Sequence, residues 1–301
     1  MSATTLSRRA TEEHAVTRPP APERVRRLRL ARHGVTALVA AIVLVQVYPL
    51  VWVLLTSLRP AGEFAAGNPF AFPSELTLEN YRRAWELAPL PRYVFNSLVV
   101  TVVSNALIVV LGMMAAYALT VLEFRGSKVV HGLFLIGIIV PVHVALVPLF
   151  LNYSQVNLLD TYQSMIIPLA GFSLPMSVYL FSSFFQYIPR ETYEAAALDG
   201  AGPYRIFAQI TAPLSANTVV TVVFVNSIFI WNDFVFANTF VLSEDLKTIP
   251  LGLQNYMGAM GSMDWTATFA AVCVTVTPLL LVFLVLNKAI IYGLESGATK
   301  G

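Results

Sequence analysis

Glu194-Ala195-Ala196-Ala197-Leu198-Asp199-Gly200-Ala201-Gly202-Pro203 runs on through Tyr204-Arg205-Ile206-Phe207-Ala208-Gln209-Ile210-Thr211-Ala212-Pro213, a polar, alanine-rich island between two long uncharged apolar stretches. A loop that merely joins two apolar helices needs only a few polar residues. This one reads as two short helices broken at Asp199-Gly200. Pro189 suits the first turn of a helix, where its missing donor costs nothing. Glu191 and Glu194 lie near the positive end of that helix, and Ala195, Ala196 and Ala197 are strong helix formers with almost no bulk. Gly200 can take the left-handed conformation that ends a helix, and Pro203 can open the next one. That second helix places Ile206, Phe207 and Ile210 on one face. A helix pair lying on lipid headgroups is the plain alternative. The first helix, however, lacks bulky apolar residues at helical spacing, and Glu191, Glu194 and Asp199 would be repelled by anionic lipid. A small acidic helix suits insertion into a groove on a protein partner.

Working outward, the chain has 301 residues, 56% hydrophobic and only 12% charged, with a mean hydropathy of +0.68. Soluble domains carry about 25% charged residues, so an integral membrane protein is expected. Cys273 is the sole cysteine, which excludes an intramolecular disulfide and a cysteine-based metal cluster. Intervals free of Asp, Glu, Lys and Arg lie between Arg32 and Arg59, Arg92 and Glu123, Lys128 and Asp160, Asp160 and Arg190, Arg205 and Asp233, and Asp264 and Lys288. Each reaches the roughly 20 residues that a helix needs to cross a bilayer. Helices are required there, since an isolated strand in lipid leaves its backbone groups unpaired. The expected fold is therefore all-α and polytopic, with six transmembrane helices. Pro141 and Pro148 in the third, and Pro168 and Pro175 in the fourth, predict kinks.

Basic residues set the orientation. With both termini cytoplasmic, the inner segments hold 14 Lys and Arg and the outer segments hold 5. The island from Arg190 to Pro213 then faces the cytoplasm. Residues 1–33 read as a disordered, basic N-terminus with a Pro19-Pro20-Ala21-Pro22 run, and residues 34–301 as the transmembrane domain, with its cytoplasmic helices near 189–213. The cluster Arg24-Val25-Arg26-Arg27-Leu28-Arg29 is better read as a topology anchor beside anionic headgroups than as a nucleic-acid-binding arm, so no nucleic acid is expected. The apolar run from Val35 to Leu58 exceeds the about 7–15 residues of a signal-peptide core. In the outer loops, Thr77 is placed to cap a helix over Leu78 to Leu87, and Leu242-Ser243-Glu244-Asp245 reads as a turn. No phosphate-binding glycine loop followed by Lys-Ser or Lys-Thr occurs. If solute moves at the expense of ATP, another chain binds the ATP.

The island resembles the EAA signature of bacterial ABC-import permeases at Glu194, Ala195, Ala196, Asp199, Gly200, Ala201, Phe207, Ile210 and Pro213. Gly202 departs from it, standing where Ser or Thr often follows, although Gly also serves as an N-cap. Further likeness to the maltose-type, carbohydrate-uptake branch of binding-protein-dependent transport inner membrane components lies in Ala115-Ala116-Tyr117-Ala118-Leu119, Phe124-Arg125-Gly126, Trp231-Asn232-Asp233-Phe234, Pro250-Leu251-Gly252-Leu253 and the ending Gly293 to Gly301. Together these cover residues 35–301. The resemblance implies a type I ABC importer permease fold in the bacterial inner membrane. It implies a second, different permease subunit and two copies of an ATP-binding subunit that hold ATP and Mg. It also implies an extracytoplasmic binding protein that delivers a sugar. The chain itself would be no enzyme and would bind no cofactor. Glu194 to Gly200 would be the coupling helix seated in an ATPase cleft. The tail Ala298, Thr299, Lys300 and Gly301 would be a second ATPase contact.

Polar side chains within the spans include Asn105, His143, Ser177, Tyr179, Asn226 and Ser227. His143, Tyr179, Asn226, Trp231 and Asn232 are candidates for a substrate path, since sugars stack on aromatic rings and bond to amides. Helix packing for His143 and a lipid-interface ring for Trp231 are the plainer alternatives. No residue pattern points to a metal. An ion-coupled secondary transporter is the competing class, but no span carries the acidic or basic relay that it needs.

Overall fold

The computed structural model describes residues 23–256 and 263–298, and among them every regular element is a helix. The chain divides into two compact units, Met1–Trp52 and Val53–Gly301. The described part of the first unit belongs to α1 (Glu23–Ser57), whose last residues fall in the second. This helix takes in the basic cluster and begins at Glu23, inside the 1–33 segment expected to be disordered. Arg and Leu are good helix formers, and extending an existing helix is far easier than nucleating one. Residues 1–22 lie outside the described residues.

In the second unit, α4 (Leu90–Thr120) and α7 (Tyr162–Phe185) form the most extensive helix pair. Small residues allow the close approach. A Cβ on Gly112 of α4 would sit 3.5 Å from Ser177 Cβ and 3.6 Å from the Phe181 ring of α7, which leaves no room for a longer side chain. Val100, Ile108, Ala116, Val178, Phe181 and Phe185 are buried along this seam.

Among the described residues, four helices are long and apolar enough to cross a membrane, over Arg32–Ser57, Leu90–Thr120, Tyr162–Phe185 and Trp265–Val285. Two bent pairs bring the number to six where each pair is counted as one span. The first pair is α5 (Ser127–Ile139) with α6 (Val142–Gln155), broken by 96° at Val140-Pro141. The expected proline kink is here a full break. Pro148 stays within α6, however, and α7 runs without interruption through Pro168 and Pro175. Pro175 of α7 is met closely by α5, for a Cβ on Gly137 would stand 3.0 Å from its ring.

The second pair lies in the fifth span. Pro203–Leu214 and α11 (Ala216–Trp231) diverge by 71° at Ser215. Within it, α11 is a helix of 16 residues, about 24 Å at 1.5 Å per residue. The charge-free interval after Arg205 thus holds a bent pair, the part before Ser215 uncharged without lying along α11.

On the side opposite the island, α2 (Ala61–Ala66) and α3 (Glu79–Leu87) precede α4. The helix starts one residue later than predicted, with Leu78 rather than Thr77 at the N-cap, and Thr77 Oγ1 accepts from the Glu79 amide at 3.1 Å just outside it. The buried Arg59 guanidinium donates to the Asn68 and Pro69 carbonyls, each at 3.2 Å. Asn80 Nδ2 donates to the Ser57 and Arg59 carbonyls at 2.8 and 2.7 Å. The segment Glu244–Tyr256, containing α13 (Ile249–Gly252), is clasped onto the start of α4. Asn96 Nδ2 donates to the Asp245 and Lys247 carbonyls at 2.9 and 2.8 Å, and Ser97 Oγ accepts from the Ile249 amide at 2.9 Å. Tyr93 and Asn255 both donate to the Glu244 carboxylate. Asp160, in the turn before α7, accepts from the amides of Leu242 and Ser243, each at 2.9 Å. Burial opposes its charge, but these bonds and one from the Ser243 hydroxyl outweigh it and hold its pKa below the usual carboxylate value.

Gly252, in the Pro250–Leu253 motif, is pressed against the fully buried Tyr93 ring, where a Cβ would fall 2.2 Å from Cδ2. Gly252→Ala is therefore expected to destabilise the protein by about 1–3 kcal/mol through overpacking. Gly132→Ala, at a position with nothing within 4 Å, should not. Thermal unfolding in detergent checks both, with a lower Tm for the first variant only.

Candidate functional site

The island folds as a two-armed foot. The first arm is α8 (Arg190–Leu198), with Pro189 one position earlier than expected, at the N-cap. It closes by two bonds, Gly200 N–H to the Ala197 carbonyl and Ala201 N–H to the Ala196 carbonyl, each 3.0 Å, with Gly200 at φ +79°. This is the glycine-terminated helix end in which orphan carbonyls are satisfied locally. Gly202 is the N-cap of the second arm and Pro203 its first residue. That arm comprises α9 (Pro203–Ile206), a wider π-type turn over Phe207–Thr211, and the short α10 (Ala212–Leu214). Pro213 has no N–H to offer the Gln209 carbonyl, and the widened turn lies immediately before it. Nothing in the residue pattern announced that turn.

The signature residues divide into two sets. Ala196, Ala201, Phe207 and Ile210 pack against the apolar core, joined by the buried Ile206. Glu194, Ala195, Asp199, Gly200 and Pro213 are exposed. The face expected to gather Ile206, Phe207 and Ile210 does gather them, and it points into the bundle. The tip adds two residues that sequence reasoning missed. Leu198 is 89% exposed and Tyr204 is 87% exposed, one on each side of the turn. Their only sequence signal was that they are large apolar residues inside a polar island.

Three tyrosine and charge contacts hold the foot to the bundle. Tyr117, in the last turn of α4, donates to the Pro203 carbonyl at 3.0 Å and lies with its ring centroid 5.3 Å from that of Phe207. Tyr193 of α8 turns inward, and its hydroxyl lies beside Thr211 without a well-aligned bond. Burial pushes that phenol's pKa up, and Thr211 offsets the shift only in part. Arg190 pairs with Glu123, in the turn after α4, at 2.7 Å. Both side chains are more than half exposed, so the pair contributes at most about 1 kcal/mol. Beside it, a cavity of about 1000 Å³ is lined by Glu123, Phe124, Lys128, His131, Tyr193 and Glu194, among others.

The candidate path residues are not brought together. Asn226 is buried and donates to Ser177 Oγ of α7 at 3.1 Å, while the adjacent Ser227 accepts from Asn105 Nδ2 of α4 at 3.2 Å. Neighbouring polar residues of α11 thus reach two different helices. Trp231 is buried with Ala267, Ala270 and Ala271 of α14 (Trp265–Ala298), and its Nε1–H donates to the Thr275 carbonyl at 3.1 Å. Asn232, Tyr179 and His143 are exposed, the last in the first turn of α6 just after the break. Asp233 accepts from the Phe236 and Ala237 amides at the start of α12 (Val235–Phe240), and burial raises its pKa. Of the tail, Ala298 ends α14 and Thr299, Lys300 and Gly301 lie outside the described residues.

A family described as binding-protein-dependent transport system inner membrane component matches residues 108–293, from mid-α4 to late α14 and across the whole foot. The diacetylchitobiose uptake system permease protein NgcG of Streptomyces coelicolor is 34% identical over 276 residues, covering 91% of this chain and 90% of that protein. The chain belongs to this family. The trehalose transport system permease protein SugB of Mycobacterium tuberculosis is 33% identical, covering 84% of this chain and 92% of its own. The fold is that of a bacterial ABC transporter for alginate import, at a TM-score of 0.74 and 20% identity over 86% of this chain and 96% of that one. The permease is thus a multi-pass inner-membrane subunit of the maltose-type branch, and ATP hydrolysis belongs to a separate subunit.

Interhelical bonds of this kind in membranes average about 0.6 kcal/mol, so the Asn226–Ser177 bond should orient α11 more than stabilise it. A double-mutant cycle with Asn226→Ala and Ser177→Ala, read by unfolding in detergent, should give a coupling near about 0.6 kcal/mol. A coupling of about 3 kcal/mol would mark Asn226 as a main support of the fold instead.

Proposed function

We propose that this permease forms half of the membrane pathway of an ATP-driven importer for an oligosaccharide, with the foot from Arg190 to Pro213 as its ATPase-docking element. The observation that carries the reading is the division of the signature residues. One half anchors the foot to the bundle, and the other half, with Leu198 and Tyr204, stands exposed at a tip that the subunit itself leaves uncovered. A tip of small and acidic residues flanked by two large apolar side chains suits a groove on a protein. The aromatic Tyr204 is the residue type that commonly dominates such contacts. The excess of basic residues on the island's side, 14 against 5, supports a cytoplasmic setting for it and for both termini.

The relatives supply the substrate class. Their names specify diacetylchitobiose, trehalose, and melibiose, raffinose and stachyose. A sugar of two or more units, presented by an extracytoplasmic binding protein, is the cargo this proposal assigns. A second, homologous permease completes the pathway. Two ATP-binding subunits, holding ATP and Mg, dock beneath, and Ala298 to Gly301 add a weaker contact to them. Closure of the ATPases favours one of two orientations of the pathway, and the foot converts that preference into helix movement. His143, Tyr179 and Asn232 offer exposed polar groups toward a sugar, whereas Asn226 and Trp231 are engaged within the subunit. Ion-coupled transport has no comparable support, since the family relationship points to ATP.

The test follows from the same division. Ala196 packs inward, so a charge there would also disturb folding. Ala195→Glu and Ala197→Glu place the charge on the exposed tip instead, away from the positive-φ Gly200. Either should abolish uptake of the cognate oligosaccharide while the permease still inserts at parental levels. Leu198→Ser should lower recovery of the ATPase subunits on co-purification by about tenfold, as removal of one hot-spot side chain does. Parental uptake in both glutamate variants would overturn the docking assignment.

A further inference from the structure

We propose that Tyr117 is the positioning residue that makes the docking foot move as one body with α4, so that the side chain of α4, rather than the backbone leading into α11, carries motion from the foot into the membrane domain. The proposal rests on the foot being the ATPase-docking element.

The backbone route is poorly built for this task. From the tip, the chain passes through the widened turn Phe207–Thr211, then Pro213, which donates no hydrogen bond, then a 71° change of direction at Ser215. A π-type turn and a sharp bend are places where a helix yields. The first arm is held by the solvent-exposed Glu123–Arg190 pair and by half-buried Tyr193 and Ala196. Tyr117 is different. It is 5% exposed and stands in the last turn of α4, and it meets the second arm at both ends of α9. Its hydroxyl bonds the Pro203 carbonyl at the start and its ring lies on Phe207 just past the end. Contacts at both ends of a rigid turn fix orientation as well as distance.

The other end of α4 gives the link its reach. Asn96 and Ser97 bond the segment Asp245–Ile249 on the opposite side of the molecule. From Asn96 to Tyr117 the helix runs about 32 Å at 1.5 Å per residue, with Ala116 and Ile108 fully buried between them. One continuous helix therefore touches the foot through Tyr117 and the opposite-face segment through Asn96.

Tyr117→Phe is a clean test, because the ring contact survives and the Pro203 carbonyl keeps the amide of Phe207 as a partner. Nitroxides would be placed at Val102→Cys on α4 and Ala208→Cys on the second arm, both exposed positions, in a Cys273→Ser background. Pulsed electron resonance on the full-length permease should give one narrow distance distribution in the parent and a broadened one in Tyr117→Phe. In the reconstituted transporter, ATP consumed per sugar imported should rise about fivefold, as expected for loss of one hydrogen bond, at an unchanged ATPase rate. Phe207→Leu, which loosens the ring contact from the other side, should act in the same direction. Glu123→Gln, which removes only the exposed pair from the bundle side, should leave both readouts at parental values. Parental distances and a parental ATP-to-sugar ratio in both Tyr117→Phe and Phe207→Leu would overturn the proposal. Because the distance measurement needs no ATPase, it stands apart from the docking test with Leu198→Ser, whose failure would instead remove the functional reading.

Discussion

Close approach of α4 to α7 is the constraint on which the rest of the permease depends. At Gly112 the helices are close enough that a Cβ would already touch Ser177 and the Phe181 ring at 3.5 and 3.6 Å. Val100, Ile108, Ala116, Val178 and Phe185 then close the seam above and below. In lipid there is no hydrophobic gain from bringing two apolar helices together, so packing of this kind does the work that water exclusion does in soluble cores. The polar pairs Asn105–Ser227 and Asn226–Ser177 sit where α11 joins the seam. At about 0.6 kcal/mol each, they choose its rotation and register more than they hold it in place.

With that pair in place, the two ends of α4 organise the two faces of the molecule. Tyr93, Asn96 and Ser97 receive the segment Glu244–Tyr256, and Gly252 is the residue that allows the segment to lie on the Tyr93 ring. At the far end, Tyr117 receives the second arm of the foot, and Glu123, in the following turn, reaches the first. A partly buried hydroxyl bond of about 1 kcal/mol and the exposed pair, worth at most about the same, do comparable energetic work. They differ in geometry. Tyr117 is fixed by burial on all sides, whereas two long exposed side chains tolerate many arrangements.

Much of this was legible in the residues. Charge-free intervals located the spans, Gly200 and Pro203 marked the break between two short helices, and the apolar trio at 206, 207 and 210 marked the buried face. The misreadings have a common origin. Pro141 breaks its span, while Pro168 and Pro175 leave α7 uninterrupted, because a proline's effect depends on what its neighbours supply to the freed carbonyls. The bend in the fifth span went unread because an uncharged arm can leave the helix axis at Ser215 without any change in composition. Trp231 read as a substrate-path candidate or an interfacial ring, and it is buried against three alanines of α14, which leave space for an indole.

What the sequence determined alone is whatever local chemistry and solvent impose: an all-helical membrane chain, the positions of its apolar stretches, the glycine-ended first arm, and the likeness to its family. Backbone satisfaction in lipid and the conformational freedom of glycine act residue by residue, so they can be read without knowing where the chain goes. Tertiary structure alone decided which side of each signature residue faces inward, that Leu198 and Tyr204 stand free at the tip, and that Tyr117 meets Pro203 and Phe207. Those are contacts between residues far apart in the chain. They depend on interhelical distances of a few ångströms, set by small residues such as Gly112 and Gly252, and no local pattern encodes them.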